Sequence, residues 1–190
     1  MANVYHKDLT GADLHVPKVH NNTYHSETYL TTVSEHGADK HTNRTRNIWI
    51  PVNYSPDMGV YNSEVAGGYL IDNDSRSAFG SLYVPSDYVS GGVITAVVIS
   101  EASGNLYYYI NAVYAANNED YNTHTAIVGP ITEAVLGGKY EMLETTLSLT
   151  SLNAGDLMSI YIIRFAADPS DTINANVFAI GFIFTYTADM

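Results

Sequence analysis

From Asn47 onward the chain is a succession of eight apolar, β-branched and aromatic runs, at 47–52, 79–84, 92–100, 105–116, 124–129, 140–150, 156–165 and 174–187. Gly, Asn, Asp, Ser and Pro fill the gaps between them. Runs of this length bounded by such residues read as strands, because the bounding residues supply the turn conformations that β-branched side chains resist. Ser90-Gly91-Gly92 marks a turn, and Ser103-Gly104 and Asn153-Ala154-Gly155 read as hairpin turns. The one helix-like stretch is TEAVLGG (132–138), a single turn closed by glycine. Eight strands without a useful helix predict an all-β fold, a jelly-roll-type antiparallel β-sandwich over residues 47–190, with connectivity left open.

Residues 1–46 have a different texture. Their apolar residues are sparse and without period, and six of the seven histidines of the chain fall here. Such a segment cannot bury enough surface to fold alone and is expected to be an extended N-terminal arm that orders on a partner. Its anchors are expected to be Val16, Val19, Leu30 and the Tyr24 and Tyr29 rings, with Pro17 holding one piece extended and His15, His20 and His25 as polar contacts. The histidines recur every five residues, which matches neither HxH, HExxH nor a helical i,i+4 pair. With no cysteine in the chain, no metal site is expected, and no cofactor.

Charge separates the two parts further. Five basic and five acidic residues cancel in 1–46, so residues 47–190, with three basic and fifteen acidic, carry the whole net charge of −12. An acidic body repels phosphate backbones, which argues against nucleic acid as a partner. No apolar run of signal-peptide length opens the chain, and GVITAVVIS and NVFAIGFIFTY are too short to cross a bilayer as helices. A soluble protein made in a cytoplasm, without membrane insertion, is the expectation.

Several strands are too apolar for an isolated sandwich. In 156–165 and 174–187 both parities carry large apolar side chains. The 16 tyrosines point the same way, since tyrosine is enriched at interfaces. In NLYYYINAVY, Tyr108 and Tyr114 share one face and Tyr107 and Tyr109 the other, so one row must meet solvent or a partner. A homotrimer is expected, with Ile160, Ile162, Phe178 and Ile183 as interface candidates.

No catalytic constellation is visible. His124 is the one histidine of the body, and no GxSxG accompanies it. The acidic residues fall almost entirely between the strands, which disfavours a carboxylate pair for glycoside cleavage. NNEDY (117–121) reads as a solvated loop without the ligand spacing of an EF-hand. RFAADPSDT (164–172) reads as a loop in which Arg164 pairs with Asp168 or Asp171, in preference to a calcium site. The expectation is a protein that is not an enzyme.

Two sets of short motifs carry a family resemblance over most of the chain. DLHVPKVHNNTYHSET resembles the leader near the start of many small tailed-phage structural proteins. VPSDYVSGG, GNLYYYINAVY and LNAGDLMSIYIIRFAADPSDT resemble a jelly-roll module that recurs in phage virion accessory proteins. The resemblance implies a compact oligomeric jelly roll tethered to the particle by its N-terminal segment, with no catalytic residues. Two functions follow as expectations. The first is capsid decoration, with the major capsid protein or another virion protein as partner. The alternative is a tail-fibre or head-fibre module that binds a host glycan or protein.

Overall fold

The computed structural model describes residues 43–53, 60–63, 66–71 and 77–189. Among these residues all regular structure is β. The strands are β1 (Arg44–Pro51), β2 (Val60–Ser63), β3 (Ala66–Leu70), β4 (Ser77–Tyr83), β5 (Tyr88–Ser100) and β6 (Gly104–Ala115). They continue with β7 (His124–Val135), β8 (Tyr140–Met142), β9 (Leu147–Ser148), β10 (Leu157–Arg164) and β11 (Val177–Ala188). All strand pairs are antiparallel and form two sheets. One runs β2-β3-β11-β5-β8, with β1 also on β11 and β9 also on β5; the other runs β4-β10-β6-β7. With the β2–β3 hairpin set aside and β8 and β9 counted as one interrupted strand, the eight remaining strands take the jelly-roll order. The expected fold class is what the chain adopts.

This connectivity corrects the expected hairpins. β5 and β6, joined through Ser103, lie in opposite sheets, as do β9 and β10, joined through Asn153–Gly155. Ser90-Gly91-Gly92 lies inside β5, where Gly91 has φ +72° and the pairing with β11 shifts register. It is a bulge, which the left-handed conformation of Gly91 permits. The stretch read as a helical turn corrects likewise. Residues 132–135 continue β7 opposite Gly104–Tyr107, and Glu133 is held by the Tyr108 hydroxyl at 2.7 Å. Pairing along β6 outweighs a weak local helix preference.

The core lies between the sheets. Leu106, Tyr108, Ile110, Ala112 and Tyr114 of β6 all point into it, as do Met158, Ile160, Ile162 and Arg164 of β10. On β11 a register shift between Ala179 and Gly181 changes which parity faces inward. Phe182, Phe184 and Tyr186 enter the core, while Phe178 and Ile180 join Val97 and Ile99 in a second buried cluster. Both parities of β11 are therefore apolar because one bulged strand serves two clusters.

Three of the four interface candidates are corrected by this arrangement. Ile160 and Ile162 are core residues with no exposure, and Phe178 is 5% exposed in the second cluster. Ile183 is half-buried against that cluster. The sandwich also begins earlier than the texture change suggests, since Arg44 to Arg46 pair with Ala188 to Tyr186. The expected arm anchors, His15, Val16, Pro17, Val19, His20, Tyr24, His25, Tyr29 and Leu30, lie outside the described residues.

Candidate functional site

Strands β4, β10, β6 and β7 turn their alternate side chains away from the core, and the register sets these in rows. The middle row is Phe79, Tyr161, Asn111 and Ile127. On one side lie Ile163 and Tyr109, then Phe165 and Tyr107; on the other, Ser159 and Val113, then Tyr83, Leu157 and Ala115. Tyr107 and Tyr109 are thus the tyrosine row that leaves the core. The rings pack on one another: Tyr107 to Phe165 at 5.6 Å, Tyr109 to Phe165 at 5.5 Å and Tyr109 to Tyr161 edge-on at 5.9 Å between centroids. Such tilted contacts suit the ring quadrupoles and make a firm aromatic surface.

This packing affects the phenols. Burial first, and then the neighbouring Tyr161 hydroxyl, push Tyr109 up to about 12. Burial and the Glu133 carboxylate also raise Tyr108 on the core side. A raised phenol keeps its proton in the folded state at a pH where the unfolded chain has released it. The stability that follows is complete below about pH 10 and is lost as the pH climbs through about 12. Denaturant midpoints are expected to fall between about pH 9 and pH 11.5, and Tyr109→Phe is expected to make that fall shallower. Equal slopes for the two proteins would contradict the assignment.

At the Leu157 end the face opens into a cleft of about 570 Å³. Its floor includes Val113, Ala115, Leu157 and Ser159, and its walls come from β4 and the β6–β7 loop. Tyr83 and Tyr121 stand at its rim, 68% and 78% exposed, and Leu157 is 60% exposed. Asn117, Asn118 and Glu119 supply the polar lining.

Local bonds shape the walls. Ala116 N–H donates to the Glu119 carboxylate at 2.9 Å, and Glu119 N–H donates to the Ala116 carbonyl at 3.2 Å. Asn118 sits at φ 71°, a conformation that Asn tolerates better than most residues. Opposite, Gly155 at φ +88° brings the β9–β10 turn beside the Tyr83 hydroxyl, and its N–H donates to the Val84 carbonyl at 3.0 Å. Buried Asp156 closes that turn by accepting from the Asn153 N–H at 2.8 Å. Both turns are set before any ligand arrives.

The chemistry offered is recognition by stacking and hydrogen bonding. Glu119 is the one carboxylate in the lining, whereas glycoside hydrolysis takes a pair. His124 stacks on Tyr114 at 5.5 Å. Among the described residues no three His, Asp or Glu side chains converge as metal ligands.

Arg164 and Asp171, expected to pair, do so deep in the fold. Arg164 Nε and Nη2 donate to the two Asp171 oxygens at 2.8 and 2.7 Å, while Nη1 and Nη2 donate to the carbonyls of Ala175 and Ile173. Asp168 instead accepts from the Ser170 N–H. The cluster fastens a loop, and neither Arg164 nor Asp171 is among the residues that line the cleft. Sequence reasoning missed the cleft, having taken 117–121 as solvated loop and 79–84 only as a strand. The available signal was Tyr121, an aromatic residue inside an acidic loop.

No family model matches the chain, and no curated protein matches it. Solved structures with a similar fold include the CBM36-1 domain of a multidomain xylanase from the hindgut metagenome of Trinervitermes trinervoides, at 12% identity and TM-score 0.41, covering 77% of this chain and all of that one. The xylan-binding module CBM15 is similar at 11% identity and TM-score 0.43, over 78% of this chain and all of that one. TmCBM27, a carbohydrate-binding module described for specific mannan recognition, is similar at 11% identity and TM-score 0.41, over 80% and 91%. The likeness is one of sandwich architecture.

Proposed function

We propose that this chain is a non-catalytic recognition module of a phage virion and that the cleft at the Leu157 end of the second sheet binds a saccharide of a host surface. The observation that carries the reading is the pairing of two exposed tyrosines with an amide-rich wall across a pre-shaped cleft. Sugar rings present C–H faces that stack on aromatic rings and hydroxyls that bond to amide and carboxylate groups. A site with a few convergent polar groups beside apolar surface is the usual form of a small-ligand pocket. Charge narrows the class. Glu119 is the one charged side chain of the lining and the body is acidic, so neutral or amino sugars fit and anionic ones are repelled. The virion part of the reading rests on the motifs DLHVPK, VPSDY and LNAGD.

Titration calorimetry of the full chain against a panel of neutral, amino and acidic oligosaccharides tests this. Binding to at least one neutral or amino member is expected, weakened about tenfold or more by Tyr121→Ala or Tyr83→Ala, a loss of about 1.4 kcal/mol. Absence of binding at millimolar sugar, or full affinity in both variants, would remove the reading.

A second reading is favoured by the neutral, histidine-rich first 46 residues on an acidic body. In it the chain decorates the capsid, docked through that segment on the major capsid protein. Copy number in purified virions separates the two. Hundreds of copies fit decoration, and a few dozen or fewer fit a fibre or tail part.

A further inference from the structure

We infer that the ligand of the cleft is an uncharged chain of linked sugar rings, held from Tyr83 across Ser81 and Ser159 to Phe79 and Tyr161, and not a single terminal sugar. This rests on the saccharide reading of the cleft and assigns the form of its ligand.

The first observation is the order of side chains beside the cleft. The outward positions of β4 run Tyr83, Ser81, Phe79, and those paired with them on β10 run Leu157, Ser159, Tyr161. A low row of hydroxyls thus separates two sets of rings. Ser81 Oγ and Ser159 Oγ lie 3.3 Å apart in that row. Tyr83 is 68% exposed and Phe79 38% exposed, so both rings are open to a ligand. Four residues of strand set these two positions about 13 Å apart. That is more than twice the width of one sugar ring. A sugar stacked on Tyr83 cannot reach Phe79, whereas a chain of linked rings touches both. Its hydroxyls then pass over the two serines, which can donate and accept.

The second observation is continuity. Ser159 and Val113 line the cleft, and the next outward positions on their strands are Tyr161 and Asn111. The floor of the cleft therefore runs on into the Phe79–Tyr161 row. Asn111 Nδ2 donates to the Tyr161 hydroxyl at 2.8 Å, and Tyr109 packs edge-on against the Tyr161 ring. That ring is held before any ligand arrives, so little binding energy goes into ordering it.

Charge selects the occupant. Every outward position of β4, β10 and β6, and those of β7 that pair with them, is uncharged, although residues 47–190 carry −12. A basic partner finds no acid on these strands to pair with, and an acidic one is repelled by the body as a whole. A neutral chain with C–H faces and hydroxyls meets rings and serines that match it.

Titration calorimetry of the full chain tests the inference, with the neutral and amino members of the sugar panel each taken as mono- to hexasaccharide. Affinity is expected to rise about three- to tenfold for each added ring that gains an aromatic contact, and to level off once both ring positions are spanned. Phe79 is not among the residues that line the cleft. Phe79→Ala should weaken the longest member about threefold or more and leave the shortest binding member unchanged, while Tyr83→Ala should weaken both. Phe79→Leu, which keeps apolar bulk and removes only the ring, should act in the same direction with the melting temperature unchanged. A sugar that loses affinity in Tyr121→Ala yet binds equally well as disaccharide and hexasaccharide would overturn the inference and leave the cleft reading standing. No binding by any member would remove both. A Phe79→Leu change that alters sedimentation and leaves chain affinity intact would give that ring to a second copy of the chain, and would also overturn the proposal.

Discussion

Arg164→Ala is expected to cost the fold about 3–5 kcal/mol, the largest loss of any single substitution considered. Arg164 is 2% exposed, and its guanidinium makes two parallel bonds to Asp171 and donates to the carbonyls of Ile173 and Ala175. Asp171 has no exposed side chain and also accepts the N–H groups of Tyr107 and Ile173. Removing the arginine therefore strands a buried carboxylate and two carbonyls, and the penalty is desolvation more than lost attraction. The consequence reaches the aromatic face. The 165–176 connection is tied to the end of β6 by Thr172 N–H to the Asn105 carbonyl and by Phe165 N–H to the Tyr107 carbonyl. Loosening it would unseat the Phe165 ring from Tyr107 and Tyr109. Urea midpoints check the number. Replacing both partners, Arg164→Met with Asp171→Leu, should cost less than Arg164→Ala alone, because no ion is left unpaired. A single-site loss under about 1 kcal/mol would show that the pair is solvated and not structural.

The particular residues show where sequence is informative and where it is not. The class was legible because 92–100, 105–116, 156–165 and 174–187 are β-rich runs bounded by turn residues, and local composition alone determines that. Leu147 and Leu149, two residues apart in the run 140–150, are both buried, as alternation along a strand requires. Sheet assignment was not legible. Ser103-Gly104 and Asn153-Ala154-Gly155 have the chemistry of a reversal, and that chemistry is the same whether the chain returns beside its own strand or crosses to the opposite sheet. Only long-range pairing, such as β10 between β4 and β6, separates the cases. Parity failed for a related reason. One inserted residue at a bulge exchanges the faces of a strand, so Phe178 and Phe182, which share one parity in the sequence, serve different clusters. Ile160 and Ile162 were sought at an interface because their strand is apolar on both parities, yet the outward parity is Leu157, Tyr161, Ile163 and Phe165. The cleft was least legible, since it joins Tyr83, Tyr121 and Leu157 from three separate parts of the chain. Of residues 1–46, only the end that enters β1 falls among those described.

Gly181→Ala carries the second large effect, expected at about 1–3 kcal/mol. Gly181 lies on β11 at the bulge and opposite Pro51 of β1. A methyl group there would meet the Trp49 ring and stand 2.7 Å from the Ile50 carbonyl oxygen. The ring can swing aside because Trp49 is 49% exposed. The carbonyl cannot, since it belongs to the ladder that joins β1 to β11. The strain therefore falls on backbone pairing, and β1 is expected to be pushed off β11 locally. Trp49 is the one tryptophan of the chain, so its emission reports this displacement directly. Gly181→Ala should shift that emission and lower the denaturant midpoint together. Adding Trp49→Phe should restore little of the midpoint, because the backbone conflict persists, whereas near-complete restoration would place the whole conflict on the indole ring. An unchanged midpoint with unchanged emission would mean that the bulge accommodates a side chain and that glycine at 181 is not required for the two strands to approach.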